Sequence, residues 1–207
     1  ARVCDLAAGT GKFTRLLVSR GFDVVAVEPV AGMRAQLAEV LPDVDVLEGT
    51  AESIPLPDGS VDAVTVAQAF HWFRFDAALA EIARVLRPAG TLAIVFNERD
   101  ERVDWVREWN HRLEWHGRRI AYYQRTDWTD VLAAAGFVDV RKLDVEWTQP
   151  MTRELLAARV RSVSYIAEQP EDAQQQHVEN VLALTDGFDE PFDLPYVTHL
   201  WWASKQH

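Results

Sequence analysis

The chain of 207 residues carries 32 acidic and 21 basic residues, a formal net charge of −11, and 48% of its residues are hydrophobic. This length and apolar content suit one domain with a full core, and the negative charge repels phosphate backbones, which disfavours a nucleic-acid substrate. No apolar run is long enough to span a membrane, and the single cysteine, Cys4, excludes an internal disulfide and favours a reducing, cytoplasmic setting.

Apolar strands and amphipathic helices alternate through the first half of the chain. The strands are predicted over residues 2–6, 23–27, 44–48, 61–67 and 91–96. The helices between them are predicted near residues 12–20, 32–40 and 76–86. This alternation indicates an α/β fold, with a parallel, doubly wound sheet and helices on both faces.

The pattern changes after residue 97. Helices are predicted over residues 101–116, 128–135, 153–166 and 173–184, the second stopped by a glycine, and strands over 138–147 and 196–203. No repeat or linker interrupts the chain. We therefore expect a single domain, with a cofactor-binding half in residues 1–97 and substrate-cap helices with closing strands in 98–207.

A glycine turn joins the first strand to the first helix. Gly9 and Gly11 let the backbone reverse sharply and let a ligand approach its amides, while the new helix directs free N–H groups at the same place. The second strand ends in Glu28, where doubly wound folds place the acid that takes the ribose hydroxyls of an adenosine moiety. These features predict a nucleotide-like cofactor.

Residues in the same loop disfavour two common ligands that contain phosphate, a dinucleotide and a nucleoside triphosphate. A dinucleotide fingerprint beginning at Gly9 needs glycine at position 14, which is Thr14. A triphosphate loop is also missing, because Lys12 lacks the earlier spaced glycine and is followed by Phe13 rather than by a hydroxyl residue. The remaining ligand class has a ribose and no essential phosphate.

The pattern Asp5-x-Ala7-x-Gly9-x-Gly11 resembles the first motif of class I S-adenosylmethionine-dependent methyltransferases. The resemblance implies S-adenosylmethionine as the cofactor, held in part by loop residues that also include Thr10. It further implies a seven-stranded Rossmann-like sheet, mostly parallel with an antiparallel last strand.

Later segments extend the resemblance along almost the whole chain. The family's pattern implies that the carboxylate of Glu28, in Glu28-Pro29, holds the ribose. It also implies that the Met33 side chain packs on the adenine face. The residues implied at the adenine edge and at the end of the fourth strand are Thr50, Ala51, Glu52, Gln68, Ala69 and Phe70. The run Ala69-Phe70-His71-Trp72, together with residues 160–167, resembles the small-molecule "type 11" branch that includes trans-aconitate methyltransferase-like proteins.

Two features depart from the family's pattern. Ala7 stands where the family usually has glycine, and we expect its methyl group to weaken cofactor binding without abolishing it. The chain also opens inside its first strand, whereas family members normally carry an N-terminal helical segment that folds over the cofactor.

His71 is the candidate catalytic residue. Methyl transfer from a sulfonium is an in-line displacement, so the protein must mainly align the reactants, exclude water and ensure that the acceptor is deprotonated. His71 follows the fourth strand and either accepts the acceptor's proton or only shapes the pocket wall. Trp72 and Phe73 line the acceptor cavity or simply pack.

Arg161 and Tyr165 are a second candidate pair. They lie about one helical turn apart, so in one helix they share a face, and Arg161 can clamp a substrate carboxylate. The alternative is a solvated arginine beside Arg159. The five histidines other than His71 show no metal-ligand spacing with one another or with Cys4, so no metal site is predicted; they are His111, His116, His177, His199 and His207.

Three hypotheses follow. The first is methylation of an oxygen, carboxylate or hydroxyl, in a small organic molecule, because the Asn/Asp-Pro-Pro-Tyr motif of amine methylation is replaced by Gln68-Ala69-Phe70-His71. The second is a non-catalytic protein that binds S-adenosylmethionine or S-adenosylhomocysteine for regulation or interaction. The third, a Rossmann oxidoreductase, is disfavoured by Thr14.

Overall fold

Seven strands and eight α-helices form the part of the chain that the computed structural model describes, residues 1–114 and 127–206. The strands are β1 (Arg2–Leu6), β2 (Asp23–Val27), β3 (Asp45–Leu47), β4 (Val61–Ala67), β5 (Leu86–Arg99), β6 (Phe137–Met151) and β7 (Phe192–Lys205). The helices are α1 (Lys12–Ser19), α2 (Ala31–Val40), α3 (Phe75–Val85), α4 (Asp104–Glu114), α5 (Thr129–Ala134), α6 (Arg153–Arg161), α7 (Ser164–Ala167) and α8 (Glu171–Leu182).

The strands form one sheet in the order β3-β2-β1-β4-β5-β7-β6. Strands β1 to β5 pair in parallel, and the β5-β7-β6 part is antiparallel, which confirms the predicted fold class. Strand β1 has β2 on one side and β4 on the other, and Val3, Cys4 and Leu6 are buried. A parallel strand covered on both faces needs mostly apolar residues, and Asp5, which is also buried, is the polar exception in β1.

Cys4 is confirmed as a core residue. Its side chain is fully buried, and this burial, followed by the neighbouring charge of Asp5, raises the pKa of the thiol to about 12. The thiolate required of a nucleophile is therefore not formed at physiological pH. No helix in the described ranges is long and apolar enough to cross a membrane.

The predicted helix over residues 153–166 is wrong, because the chain forms two helices there. Ser162 caps the end of α6, where its hydroxyl donates to the Arg159 carbonyl 2.7 Å away, and Val163 N–H donates to Val160 in a tight turn. Such local bonds compete with helix continuation. Arg161 ends α6 and Tyr165 lies in α7, so they do not share one helix face.

Other element boundaries differ from prediction by a few residues. The closing strands β6 and β7 are longer than expected, and β5 begins five residues earlier than predicted, with a register shift against β4 between Val61 and Ala63. Helix α4 begins at Asp104 rather than at residue 101, and the predicted end at 115–116 lies outside the described residues.

The described residues fall into two compact units. The first comprises residues 1–96, 127–144 and 199–206, and the second comprises 97–114 and 145–198. The core of the second unit forms from buried apolar side chains on α4, α6, α8 and β7, among them Trp109, Leu156, Val160 and Leu194. The interpretation of residues 1–207 as one domain, halved near residue 97, stays a prediction.

Candidate active site

A cavity of about 500 Å³ lies in the first unit, where the chain leaves the carboxyl ends of β1, β2, β3 and β4. This volume is within the usual range for small-molecule and cofactor pockets, and open parallel sheets bind ligands at this edge. The wall is formed by Ala7, Gly9, Glu28, Pro29, Val30, Met33, Gly49, Thr50, Ala51, Glu52, Ala67, Gln68, Ala69, Trp72 and Phe73.

The two loop glycines serve different purposes. Gly11 precedes α1 with a φ of 82°, and a Cβ there would stand 2.9 Å from Leu37 Cγ, so its small size allows α2 to pack closely. Gly9 has a φ of 58°, and no heavy atom lies within 4 Å of the position that its Cβ would take. Since Gly9 lines the cavity, it leaves the backbone open to a ligand.

Ala7 occupies the left-handed backbone region with a φ of 58°. The left-handed region disfavours a residue with a Cβ by about 1–2 kcal/mol, which explains in physical terms why glycine suits this position. Ala7 also lines the cavity, so its methyl group reduces the space there.

We expect Ala7→Gly to raise the free energy of unfolding by up to about 1 kcal/mol, because relief of strain exceeds the added entropy of the unfolded chain. Urea unfolding measures the effect. The control is Ala8→Gly, at a neighbour without a positive φ, which should lower the free energy of unfolding by about 0.5–1 kcal/mol. Equal losses in both variants would show that Ala7 is not strained.

Glu28 connects the end of β2 to the glycine turn. Only 4% of the residue is exposed, and its carboxylate accepts the Gly9 N–H at 2.8 Å and the Val30 N–H at 2.9 Å. A carboxylate has further lone pairs, so Glu28 can also accept hydrogen bonds from a ribose diol. The sequence indicated the ribose role, whereas the bond to Gly9 is a structural finding.

Asp5 lies beneath the turn and outside the described cavity wall. Its carboxylate accepts hydrogen bonds from the Thr14 hydroxyl at 2.6 Å and the Thr65 hydroxyl at 3.2 Å. Burial raises the pKa of Asp5 to about 6, although both hydrogen bonds favour the ionised form. Through these hydrogen bonds, Asp5 connects β1 to α1 and β4. Thr14, which stands where a dinucleotide fingerprint has glycine, therefore also holds α1 against β1.

The end of β4 shapes another side of the cavity. Gln68 has a φ of 62°, which is strained for a residue with a side chain, and Ala69 leads into a short 3-10 helix over Phe70–Trp72. The Phe70 ring is fully buried and packs on Phe75 and Trp128, with centroid distances of 5.3 and 5.0 Å. This aromatic packing holds the backbone that carries the wall residues.

His71 and Trp72 differ in exposure. Trp72 lines the cavity and is 78% exposed, so its indole lies at the cavity mouth. His71 is partly buried, with its ring centroid 4.6 Å from that of Trp72 and 5.7 Å from that of Phe96. Burial lowers the pKa of His71 to about 4, so the imidazole is neutral at physiological pH.

The structure brings eleven of the predicted site residues together in the wall: Ala7, Gly9, Glu28, Pro29, Met33, Thr50, Ala51, Glu52, Gln68, Ala69 and Trp72. Asp5, Thr10, Gly11, Phe70 and His71 belong to the same segments but are not among the described wall residues. Val30, Gly49 and Ala67 also line the cavity and were not among the predicted site residues. Each directly adjoins a predicted residue, and that adjacency was the signal in the sequence.

Arg161 and Tyr165 belong to the second unit. The Arg161 guanidinium donates to Gln175 Oε1 at 2.6 Å. Tyr165 is partly buried, and this burial raises the pKa of its hydroxyl.

The charges of the wall favour a cationic ligand. Glu28 and Glu52 are acidic, and among the described wall residues there is no lysine, arginine or histidine. A pyrophosphate would have no cationic side chain to bind it in this wall, whereas the negative charge of the wall is compatible with a cationic sulfonium cofactor. A glycine turn, the buried carboxylate of Glu28, apolar side chains and negative charge thus line one cavity, a combination that suits an adenosyl cofactor without phosphate.

Comparisons with known proteins agree with this class of site. Residues 4–94 match the family model described as "Methyltransferase domain". An uncharacterised methyltransferase of Mycobacterium tuberculosis is 43% identical over 206 residues, which cover 95% of this chain and 80% of that protein. The chain therefore belongs to the class I S-adenosylmethionine-dependent methyltransferases, and S-adenosylmethionine is its cofactor.

Two further relatives differ in what they show. The malonyl-[acyl-carrier protein] O-methyltransferase of Methylococcus capsulatus is 35% identical over 151 residues, 68% of this chain and 53% of that protein. A solved structure of a provisionally assigned methyltransferase from an antibiotic biosynthesis pathway of Anabaena variabilis has a TM-score of 0.69 at 24% identity, covering 97% of this chain and 90% of that one. The second match supports the fold alone.

Proposed function

We propose that this enzyme transfers a methyl group from S-adenosylmethionine to an oxygen, carboxylate or hydroxyl, of a small organic molecule. The main supporting observation is the structure after β4. Phe70 stands where an amine methyltransferase of this class would carry part of its amine cradle, but its ring is fully buried against Phe75 and Trp128. A second support is the name of the Methylococcus relative, an O-methyltransferase.

The cofactor supplies an electrophilic methyl group on a sulfonium. In this proposal, Glu28 binds the ribose hydroxyls, Met33 packs on the adenine, and Thr50 to Glu52 contact its edge. Asp5, Gly11 and Phe70 act from behind the wall by fixing the backbone of the two loops. Rigid support of this kind contributes to catalysis because alignment of donor and acceptor supplies much of the rate enhancement.

Trp72 and Phe73 are assigned to the acceptor side of the cavity. Both are wall residues, and the exposed indole of Trp72 offers a large apolar surface at the mouth. An apolar covering excludes water, which would otherwise compete as a methyl acceptor and screen the charges of the site. We assign His71 to the same side, as a neutral hydrogen-bonding group adjoining Trp72.

The pKa of about 4 supports a positioning role for His71 over a general-base role. A base works best with a pKa near the working pH, and a carboxylate acceptor is already ionised near neutrality. We expect His71→Asn to reduce turnover less than about tenfold and the pH profile to lack an ionisation from His71 above about pH 5.5. A loss of 100-fold or more, with S-adenosylhomocysteine affinity retained, would establish the base role.

The reaction type is tested with S-adenosylmethionine carrying a ¹³C-labelled methyl group. The protein is incubated with separate panels of small carboxylic acids, alcohols and phenols, amines, and activated carbon acids. The chemical shift of the transferred carbon distinguishes O-methyl from N-methyl and C-methyl, and alkaline hydrolysis distinguishes esters from ethers. Label found on oxygen supports the proposal, and label found only on nitrogen or carbon contradicts it.

The labelling assay, combined with a calorimetric titration, also tests the non-catalytic alternative. The titration with S-adenosylhomocysteine establishes whether the cofactor site is formed. Binding of S-adenosylhomocysteine without transfer to any panel would favour the regulatory hypothesis, which the family relationship does not favour.

A further inference from the structure

An ion pair on α3 binds the chain segment that follows the third strand. Arg84 donates from Nε and from Nη2 to the two carboxylate oxygens of Glu81, at 2.7 and 2.8 Å. Two parallel hydrogen bonds of this kind orient both side chains, because the planar guanidinium matches the carboxylate. Leu79 and Ile82, on the same helix, are core residues, so the pair is attached to a firmly packed element.

The same two side chains also form hydrogen bonds with the backbone after β3. Arg84 donates from Nη2 to the Ile54 carbonyl and from Nη1 to the Leu56 carbonyl, both at 2.8 Å. Glu81 Oε2 accepts the Ile54 N–H at 2.9 Å. Arg84 Nη1 also donates to Asp58 Oδ1 at 2.8 Å. The pair therefore holds a short stretch of backbone in place, which an isolated surface ion pair does not do.

This stretch of backbone directly follows a turn in the cavity wall. In the turn, the Thr50 N–H donates to the Ser53 carbonyl at 3.3 Å, and the Ser53 N–H donates to the Thr50 carbonyl at 3.2 Å. Thr50, Ala51 and Glu52 line the cavity. Ile54, the next residue, is buried and is held through both its N–H and its carbonyl. The position of the turn at residues 50–53 therefore depends on the pair.

Helix α3 supports the turn at a second point. The Arg74 N–H, immediately before the helix, donates to Glu52 Oε1 at 2.9 Å. The turn is thus attached to α3 at Glu52 and again at Ile54, which fixes its direction as well as its position. The hydrogen bonds from Arg84 lower the pKa of Glu81 to about 2, so the pair is ionised at physiological pH.

We infer that Glu81 and Arg84 are positioning residues for the base of the cofactor, and that the turn they hold distinguishes adenine from other purines. Neither is among the described wall residues, so the pair acts through the turn. Adenine presents an amino donor beside an acceptor nitrogen, whereas hypoxanthine presents a carbonyl acceptor beside an N–H donor. A turn held in one orientation pairs with one of these edges and leaves polar groups unpaired against the other. The inference rests on the proposed contact of residues 50–52 with the adenine edge.

The experiment compares two ligands that differ only at the purine edge. Calorimetric titration of the full chain gives the affinities for S-adenosylhomocysteine and for S-inosylhomocysteine, and their ratio measures the selectivity for adenine. Wild type should prefer S-adenosylhomocysteine by about tenfold or more. Arg84→Met removes the donors to the Ile54 and Leu56 carbonyls, and Glu81→Met removes the acceptor of the Ile54 N–H. Each variant should reduce the ratio about fivefold, the effect of one lost hydrogen bond.

Three further variants show whether the change in ratio comes from the pair. Arg84→Lys retains the charge without the planar donors and should give a ratio between those of wild type and Arg84→Met. Glu28→Ala affects the ribose, which both ligands share, so both affinities should fall by the same factor. Arg87→Met is the matched control, because Arg87 is an exposed arginine of the same unit that pairs with Asp62, and it should leave both affinities unchanged.

A pair that only stabilises the fold would give a different result. In that case Arg84→Met would lower the free energy of unfolding in urea and weaken both ligands by the same factor. An unchanged ratio in a folded Arg84→Met variant therefore overturns the inference. If that variant does not fold, an unchanged ratio in Arg84→Lys overturns it equally.

Failure of this inference differs from failure of the proposed function. Equal affinities of wild type for the two ligands would contradict the inference, because no selectivity for adenine would then exist, whatever atom receives the methyl group. Selectivity that is lost in Arg84→Met, together with label found only on nitrogen or carbon in the methyl-transfer assay, would uphold the inference and contradict methylation of oxygen.

Discussion

Glu28→Ala should weaken S-adenosylhomocysteine binding about 100-fold, and by at least tenfold. The carboxylate is placed to accept the ribose hydroxyls, and hydrogen bonds to a charged acceptor contribute about 1.5–3 kcal/mol. The same substitution removes the acceptor of the Gly9 and Val30 amides, so the glycine turn loses its connection to β2. Calorimetric titration gives the affinity, and urea unfolding gives the change in stability.

Two further variants separate ribose binding from support of the turn. Glu28→Gln retains one oxygen acceptor and should fall between wild type and Glu28→Ala in affinity. Glu48→Ala is the matched control, since Glu48 is an exposed glutamate that pairs with Arg34. Unchanged affinity in Glu28→Ala, or an equal loss in Glu48→Ala, would show that Glu28 does not bind the ribose.

Local sequence patterns predicted the first half of the fold well. The bounds of β1, β2 and β4 agree with prediction because each is a short, apolar parallel strand that ends at a recognisable turn. The cavity wall was predicted largely from segments that directly follow these strands. Strand ends and the loops that follow them could be predicted because each is determined by a few neighbouring residues in the sequence.

Contacts between distant residues could not be predicted in this way. Glu28 bonds to Gly9, 19 positions away, and the Phe70 ring packs on Trp128. Helix spacing predicted that Arg161 and Tyr165 share one helix face, because the pattern of apolar residues does not reveal the turn at Ser162 that ends α6.

Asp5 and His71 should have opposite effects on the pH dependence of stability. Folding raises the pKa of Asp5 from 3.8 to about 6, so the native state binds more protons between these values and the free energy of unfolding falls as pH rises. Folding lowers the pKa of His71 from 6.5 to about 4, so the unfolded state binds more protons there and the free energy of unfolding rises. In wild type the two slopes oppose each other.

Asp5→Asn should therefore reveal the contribution of His71. We expect this variant to gain stability from about pH 4 to about pH 6.5 and to exceed wild type by up to about 3 kcal/mol near pH 7, the value that a shift of this size implies. The Thr14 and Thr65 hydroxyls can rotate to accept from the new amide, so their hydrogen bonds need not be lost.

His71→Gln should show the reverse slope, losing stability over the same pH range, with an amplitude reduced by the partial exposure of His71. Urea unfolding of wild type, both single variants and the double variant across this range measures the slopes. Other carboxylates titrate equally in all four proteins, so the differences between curves isolate Asp5 and His71. A curve for Asp5→Asn parallel to that of wild type would mean that the buried carboxylate titrates at its ordinary pKa.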